Sequence, residues 1–104
     1  MNGYRLSKLA DEDLLSIFRY TLETWGVDQV SIYLHLLEAA RDHIAQNPLS
    51  PGSKARDDLA PGCRIFRSGK HCFVYRINDG IVEIARILHE SMDFVSHVEE
   101  QDFD

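Results

Sequence analysis

The sequence predicts an α+β domain in which a helical hairpin packs on a small, mostly antiparallel sheet, in the order β-α-α-β-β-β-(α). Three observations carry this reading. Two stretches of the first half repeat apolar residues at helical spacing with a lone glycine near their junction. The second half holds three apolar-rich runs split by glycine-containing turns, and a segment dense in proline and glycine, residues 48–62, divides the halves. A chain of 104 residues that is 44% apolar suits one modest core. We expect one domain over residues 1–98 and an acidic, frayed end over 99–104.

Residues Tyr4 to Leu9 alternate loosely, as a first strand does. Ala10-Asp11-Glu12-Asp13 follows, an acidic cluster suited to cap a helix and to meet its N-terminal dipole. Leu14, Ile17, Phe18, Thr21, Leu22 and Trp25 then fall on one helical face, and Gly26 stands where a C-cap glycine belongs. Asp28 is placed to cap a second helix, in which Val30, Tyr33, Leu34, Leu37, Ala40 and Ile44 repeat until Asn47-Pro48 stops it. Residues 48–62 read as a long loop.

Cys63 to Arg67, Lys70 to Ile77 and Ile81 to His89 read as strands, separated by Ser68-Gly69 and Asn78-Asp79-Gly80. A two-residue Asp79-Gly80 turn sets Asn78 opposite Ile81, Arg76 opposite Glu83 and Tyr75 opposite Ile84. That register predicts a cross-strand ion pair on one face and Phe73, Tyr75, Ile77, Val82, Ile84 and Leu88 on the other, under the helices. A short helix within Glu90 to Val98 would bring Met92, Phe94, Val95 and Val98 near the sheet.

Charge and cysteines narrow the function. The net charge is −6, yet four of the acids lie in the last six residues, EEQDFD, and the remaining chain carries 13 acids against 11 bases. A surface that grips phosphates shows a basic surplus, so direct sequence-specific nucleic-acid binding is not expected. Cys63 and Cys72 lack metal-ligand spacing and a disulfide geometry, and read as packing residues, so no metal or cofactor is expected. The chain has no long apolar run and no signal-like start, so a cytoplasmic protein without a membrane partner is expected.

Specific strings say more. YRLSKLADEDLLSIFRYTLETWG resembles the first strand and first helix of ParE toxins through Ala10, Asp13, Leu14, Trp25 and Gly26. PGCRIFRSGKHCFVYRI is similar to the family's sheet signature through Gly62, Arg64, Ser68, Gly69, His71, Phe73, Tyr75 and Arg76. ARILHESMDFVSHV resembles the family's ending through Arg86, Leu88, His89, Met92 and Asp93. With all three strings in order, the chain is identified as a member of the RelE/ParE superfamily of type II toxin-antitoxin systems, on the ParE branch. The resemblance implies a toxin that inhibits DNA gyrase at its DNA-cleaving subunit, without chemistry of its own, and is neutralised by a ParD-type antitoxin.

The alternative within the superfamily is a ribosome-dependent mRNA endonuclease, which needs an acid, a base and cations around one phosphate. His89, His71, Tyr33 and Tyr75 with Arg64, Arg67, Lys70 and Arg86 are the groups available. Against it, Lys54 and Arg56 in the loop are answered by Asp57 and Asp58, and each candidate has a plain role: His89 as a structural or partner-contacting residue, Arg86 in a local pair, Tyr33 and Tyr75 as core aromatics. An inert module that only binds an antitoxin is the third reading.

The gyrase-binding candidates are Trp25 at the hairpin tip and Ser91, Met92, Asp93, Phe94, Val95 and Val98 after the last strand. Trp25 also has the phase of a last core residue, Asp93 the position of a helix cap, and Met92, Phe94 and Val98 the chemistry of a core plug. The antitoxin-binding candidates are Leu15, Leu22, Ile32 and Leu36, apolar residues that a two-layer domain has difficulty covering alone, Leu22 being also a member of the helix stripe.

Overall fold

The computed structural model describes residues 3–103. It contains β1 (Gly3–Leu6), α1 (Lys8–Trp25), α2 (Val27–Gln46), β2 (Ser53–Ala55), β3 (Arg64–Ser68), β4 (His71–Asn78), β5 (Ile81–His89), α3 (Phe94–His97) and a closing 3-10 turn, Glu100–Phe103. The five strands form one sheet in the order β1-β5-β4-β3-β2, parallel only at β1-β5. The helical hairpin covers one face. The loop before β3, α3 and the closing turn cover the other.

Each half of this architecture has a local cause. Ser7, not the acidic cluster, caps α1: its hydroxyl accepts from the Ala10 N–H at 3.0 Å and donates to the Ala85 carbonyl at 2.6 Å, so one side chain starts the helix and ties it to β5. The cluster starts three residues too late for that role, because Lys8 and Leu9 are already helical. Gly26 ends α1 with φ 92°, its N–H on the Leu22 carbonyl, and also opens α2, where Asp28 lies inside the first turn and makes no side-chain cap.

The β4-β5 hairpin has the register that Asp79-Gly80 dictates, with Asn78, Arg76 and Tyr75 opposite Ile81, Glu83 and Ile84. Both turn residues have positive φ, 53° and 76°, as a type I′ turn requires. Beyond Ile84 the alternation breaks: Val74 pairs with Arg86, so Ala85 is an extra residue in a β-bulge. The parity of β5 therefore inverts. Phe73, Tyr75, Val82, Ile84 and Ile87 face the helices with Ala10, Ile17, Leu37, Ala40 and Ile44. Leu88, expected among them, faces the other way with Val74, Ala85, Cys63 and Leu59, and Ile77 is exposed at the strand end.

Two further expectations change. The segment read as loop contains β2, an edge strand paired with β3, because Arg64 and Tyr75 reach it: Arg64 donates to the Ser53 hydroxyl at 2.7 Å and to its carbonyl at 3.0 Å. Tyr75, fully buried, donates to the Pro48 carbonyl at 2.6 Å and bonds the Ser53 hydroxyl. The end expected to fray contains a 3-10 turn, Glu100–Phe103. Phe103, 3% exposed, and Val98, 4% exposed, join the second core, and the chain between them lies across the sheet.

Candidate partner-binding surfaces

The helical layer leaves large apolar side chains in solvent. Leu15 is 62% exposed, Ile32 61% and Trp25 69%, with Leu22 and Leu36 also exposed. Helix geometry separates them into two patches. Leu15 and Leu22 lie three and four residues from Phe18, on the flank of α1 that faces α2, above a shallow apolar crevice lined by Leu14, Phe18, Leu34 and Leu37. Ile32 and Leu36 occupy the opposite flank of α2, and Leu36 Cδ2 lies 3.1 Å from where a β-carbon on Gly69 would sit. The four residues thus form two surfaces rather than one stripe.

Trp25 has core phase but sits in the last turn of α1, past the buried Ile17 and Thr21, and is solvent-exposed. Tyr20 and Val27 are equally exposed, two residues that the sequence pattern does not single out. Val27 follows the helix junction, where adjacency to Trp25 was the available signal. After β5, Ser91, Met92, Asp93 and Val95 are exposed, while Phe94 is half-buried. Val98, a gyrase-contact candidate, is instead buried in the second core, because the closing turn folds it onto Leu88 and its neighbours. Asp93 precedes α3, but its side chain makes no capping bond.

The groups weighed for phosphate chemistry are only partly brought together. Tyr33, His71 and His89 converge: the Tyr33 hydroxyl bonds His71 Nδ1, and the imidazoles of His71 and His89, opposite each other in the β4-β5 register, meet edge to face at 5.3 Å. His89 Nδ1 accepts the Ser91 N–H at 3.1 Å, which places the proton of its neutral form on Nε2. Burial, helped by the neighbouring His89, lowers the His71 pKa to about 4, while burial raises that of Tyr33.

The arginines are directed elsewhere. Arg64 serves Ser53, Arg67 pairs with Glu90 at 2.5 Å, and Arg86 grips both oxygens of Asp13 at 2.9 Å. The Arg86 pair is not local as expected: it joins β5 to α1, and Asp13 also accepts the Ile87 N–H at 2.9 Å where β1 no longer covers the β5 edge. In the loop, Arg56 is held by Asp58 and the Asp57 carboxylate accepts the Gly62 N–H. Among the described residues no three His, Cys, Asp or Glu side chains form a metal-binding group, and no helix is long and apolar enough to cross a membrane. Both cysteines are free and buried, and burial raises the Cys63 pKa to about 11.

The His71 environment sets a pH dependence. The unfolded chain protonates this histidine near 6.5, the folded chain only near 4, so its contribution is complete above pH 6.5 and is lost as pH falls toward 4. We expect urea midpoints to fall between pH 7 and 5, before most carboxylates titrate, and His71→Gln to flatten that fall. An unchanged slope in the variant would assign the dependence elsewhere.

Comparison with known proteins then decides the family. Residues 4–94 match the model of the ParE toxin of the type II toxin-antitoxin system parDE. The chain belongs to the ParE toxin family. It is 38% identical over 91 residues to a toxin ParE1 of Mycobacterium tuberculosis, covering 86% of this chain and 91% of that one, and 38% identical over 99 residues to toxin ParE1 of Caulobacter vibrioides, covering 94% and 99%. Its fold matches a chain of the chromosomal ParDE system from P. aeruginosa with a TM-score of 0.71 at 16% identity, over 86% of this chain and 96% of that one. The three ParE-like strings thus occupy structural joints: Ala10 and Asp13 at the α1-β5 contact, Gly69 at the β3-β4 turn with φ 61°, and Arg86 on Asp13.

Proposed function

We propose that this ParE-family toxin acts by binding alone: it inhibits DNA gyrase, at the subunit that cleaves DNA, and is neutralised by a ParD-type antitoxin. The observation that carries this reading is a helical layer that leaves large apolar side chains uncovered, while Arg64, Arg67 and Arg86 are engaged within the chain. Such a surface fits protein recognition, where a few desolvated apolar and aromatic anchors dominate. Leu15, Leu22, Ile32 and Leu36 are assigned to the antitoxin, whose segment folds as it docks. Trp25 with the exposed tail residues Ser91, Met92, Asp93 and Val95 is assigned to gyrase.

The test is direct. Purified chain is expected to inhibit gyrase supercoiling in the presence of DNA and ATP, to leave mRNA intact on translating ribosomes, and to lose inhibition when the antitoxin is added. The convergence of Tyr33, His71 and His89 supports the endonuclease as a second reading. Site-specific cleavage of mRNA, abolished by His89→Ala, would establish that reading and overturn the first.

A further inference from the structure

The sheet face turned away from the helices is closed by the chain's own C-terminal strap, residues 98–103, which follows the residues 4–94 matched by the family model. The strap is held at its two ends by apolar contacts, Val98 and Phe103, and Glu99, Glu100 and Gln101 between them are exposed. Among the described residues no backbone hydrogen bond joins 98–103 to the sheet, and the Asp102 carboxylate accepts the Glu99 N–H at 2.9 Å. Arg86 anchors the chain just upstream by donating to the His97 carbonyl at 2.8 Å.

Charged side chains lie under the strap. Arg5, Glu83 and Arg76 sit abreast on three neighbouring strands, and the buried Glu83 carboxylate receives both guanidinium groups. The Arg76 guanidinium stacks 4.9 Å above the Phe103 ring. Beside that ring a cavity of about 190 Å³ remains open, whose charged lining is Arg5 and Lys8 with Glu83 and Asp102, the last belonging to the strap itself. The strap therefore fills only part of its seat, and the unfilled part offers Arg5 and Lys8 beside Glu83.

We propose that this face is a receptor for acidic segments that carry an aromatic residue, occupied in cis by the strap and open in trans to a partner protein presenting the same chemistry. The ring of the incoming segment takes the place of Phe103 against Arg76, and its carboxylates meet Arg5 and Lys8. The complementarity is written in the strap itself, whose sequence VEEQDFD sets acids around one phenylalanine. Because Leu15, Leu22, Ile32 and Leu36 do not line this cavity, the proposal is independent of the antitoxin assignment. Two short anchors give the strap a low opening cost compared with β4 and β5, and its tethering, equivalent to a millimolar local concentration, keeps it closed until a partner competes.

The experiment uses the full-length chain and a fluorescent peptide of residues 97–104. Phe103→Ala empties the ring site, and the peptide is expected to bind this variant at least ~10-fold more tightly than the wild-type chain, whose strap competes. A peptide with glutamine or asparagine for its acids should bind the variant at least ~10-fold more weakly, and the acidic peptide should weaken as salt is raised. Equal affinity for wild type and Phe103→Ala, or no effect of the acids, would overturn the proposal. Hydrogen exchange on the wild-type chain supplies a second reading should the variant be unstable: the Val98 and Asp102 amides are expected to exchange by local opening, faster than those of β4. Exchange of these amides only together with β4 would make the strap a permanent part of the core and end the idea.

Discussion

Asp13→Ala should destabilise the fold by about 3 to 5 kcal/mol, a large share of the roughly 5 to 15 kcal/mol that holds a domain of this size together. Two losses combine. The Arg86 guanidinium, only 16% exposed at its side chain, loses its hydrogen-bonded carboxylate, and the Ile87 N–H loses its acceptor on an edge that β1 does not cover. Asp13→Asn keeps an acceptor for Ile87 but not the charge, so it should fall between. Replacing both members, as Asp13→Leu with Arg86→Met, should recover part of the loss, since the cost lies chiefly in the stranded charge. Urea midpoints of the four chains measure this. An Asp13→Ala chain as stable as the parent would show that the α1-β5 joint is held by packing alone.

Leu15→Glu and Ile32→Glu should each weaken antitoxin binding by at least ~30-fold, about 2 kcal/mol, the threshold of a binding hot spot, while stability changes by no more than about 0.5 kcal/mol. Both side chains are mostly in solvent, so the folded monomer loses little. The two patches lie on different flanks of the hairpin, and the effects should add if one antitoxin wraps both. Calorimetric titration of the single and double variants against the antitoxin measures it. Trp25→Ser should leave that affinity unchanged and reduce growth arrest. If Trp25→Ser abolishes antitoxin binding and spares toxicity, the two assignments must be exchanged.

The legible parts of this fold are those where one residue type meets one geometric demand. Asp79-Gly80 set the β4-β5 register because a two-residue turn needs two left-handed residues, and Gly26 ended α1 for a similar reason. The bulge escaped because Ala85 packs acceptably on either face. The adjacent pair Ile87-Leu88 was its only trace, since two neighbouring large apolar residues require both faces to be covered. The β2 strand has little propensity of its own: Ser53-Lys54-Ala55 is drawn to the sheet by Arg64 and Tyr75. Phe103 was masked by the acids around it, which suggested solvation.

Among the surfaces, Leu15 and Ile32 were readable as apolar residues off the helical phase. Trp25 followed the core phase but lies past the end of the core, which periodicity alone does not locate. The pairing of Asp13 with Arg86 was equally hidden, because it depends on which end of α1 meets which end of β5.

The parallel pairing of β1 with β5 bears on the order in which this molecule is finished. Gly3 to Leu6 are made well before their partners, Ile81 to Ile84, and Ser7 waits for the Ala85 carbonyl across 78 residues. The helical hairpin, joined by a single glycine, can close long before, since its contacts are local. A nascent chain therefore displays Leu15, Leu22, Ile32 and Leu36 while its sheet is still open, and a partner that recognises these side chains, as proposed for the antitoxin, could engage them before the sheet closes.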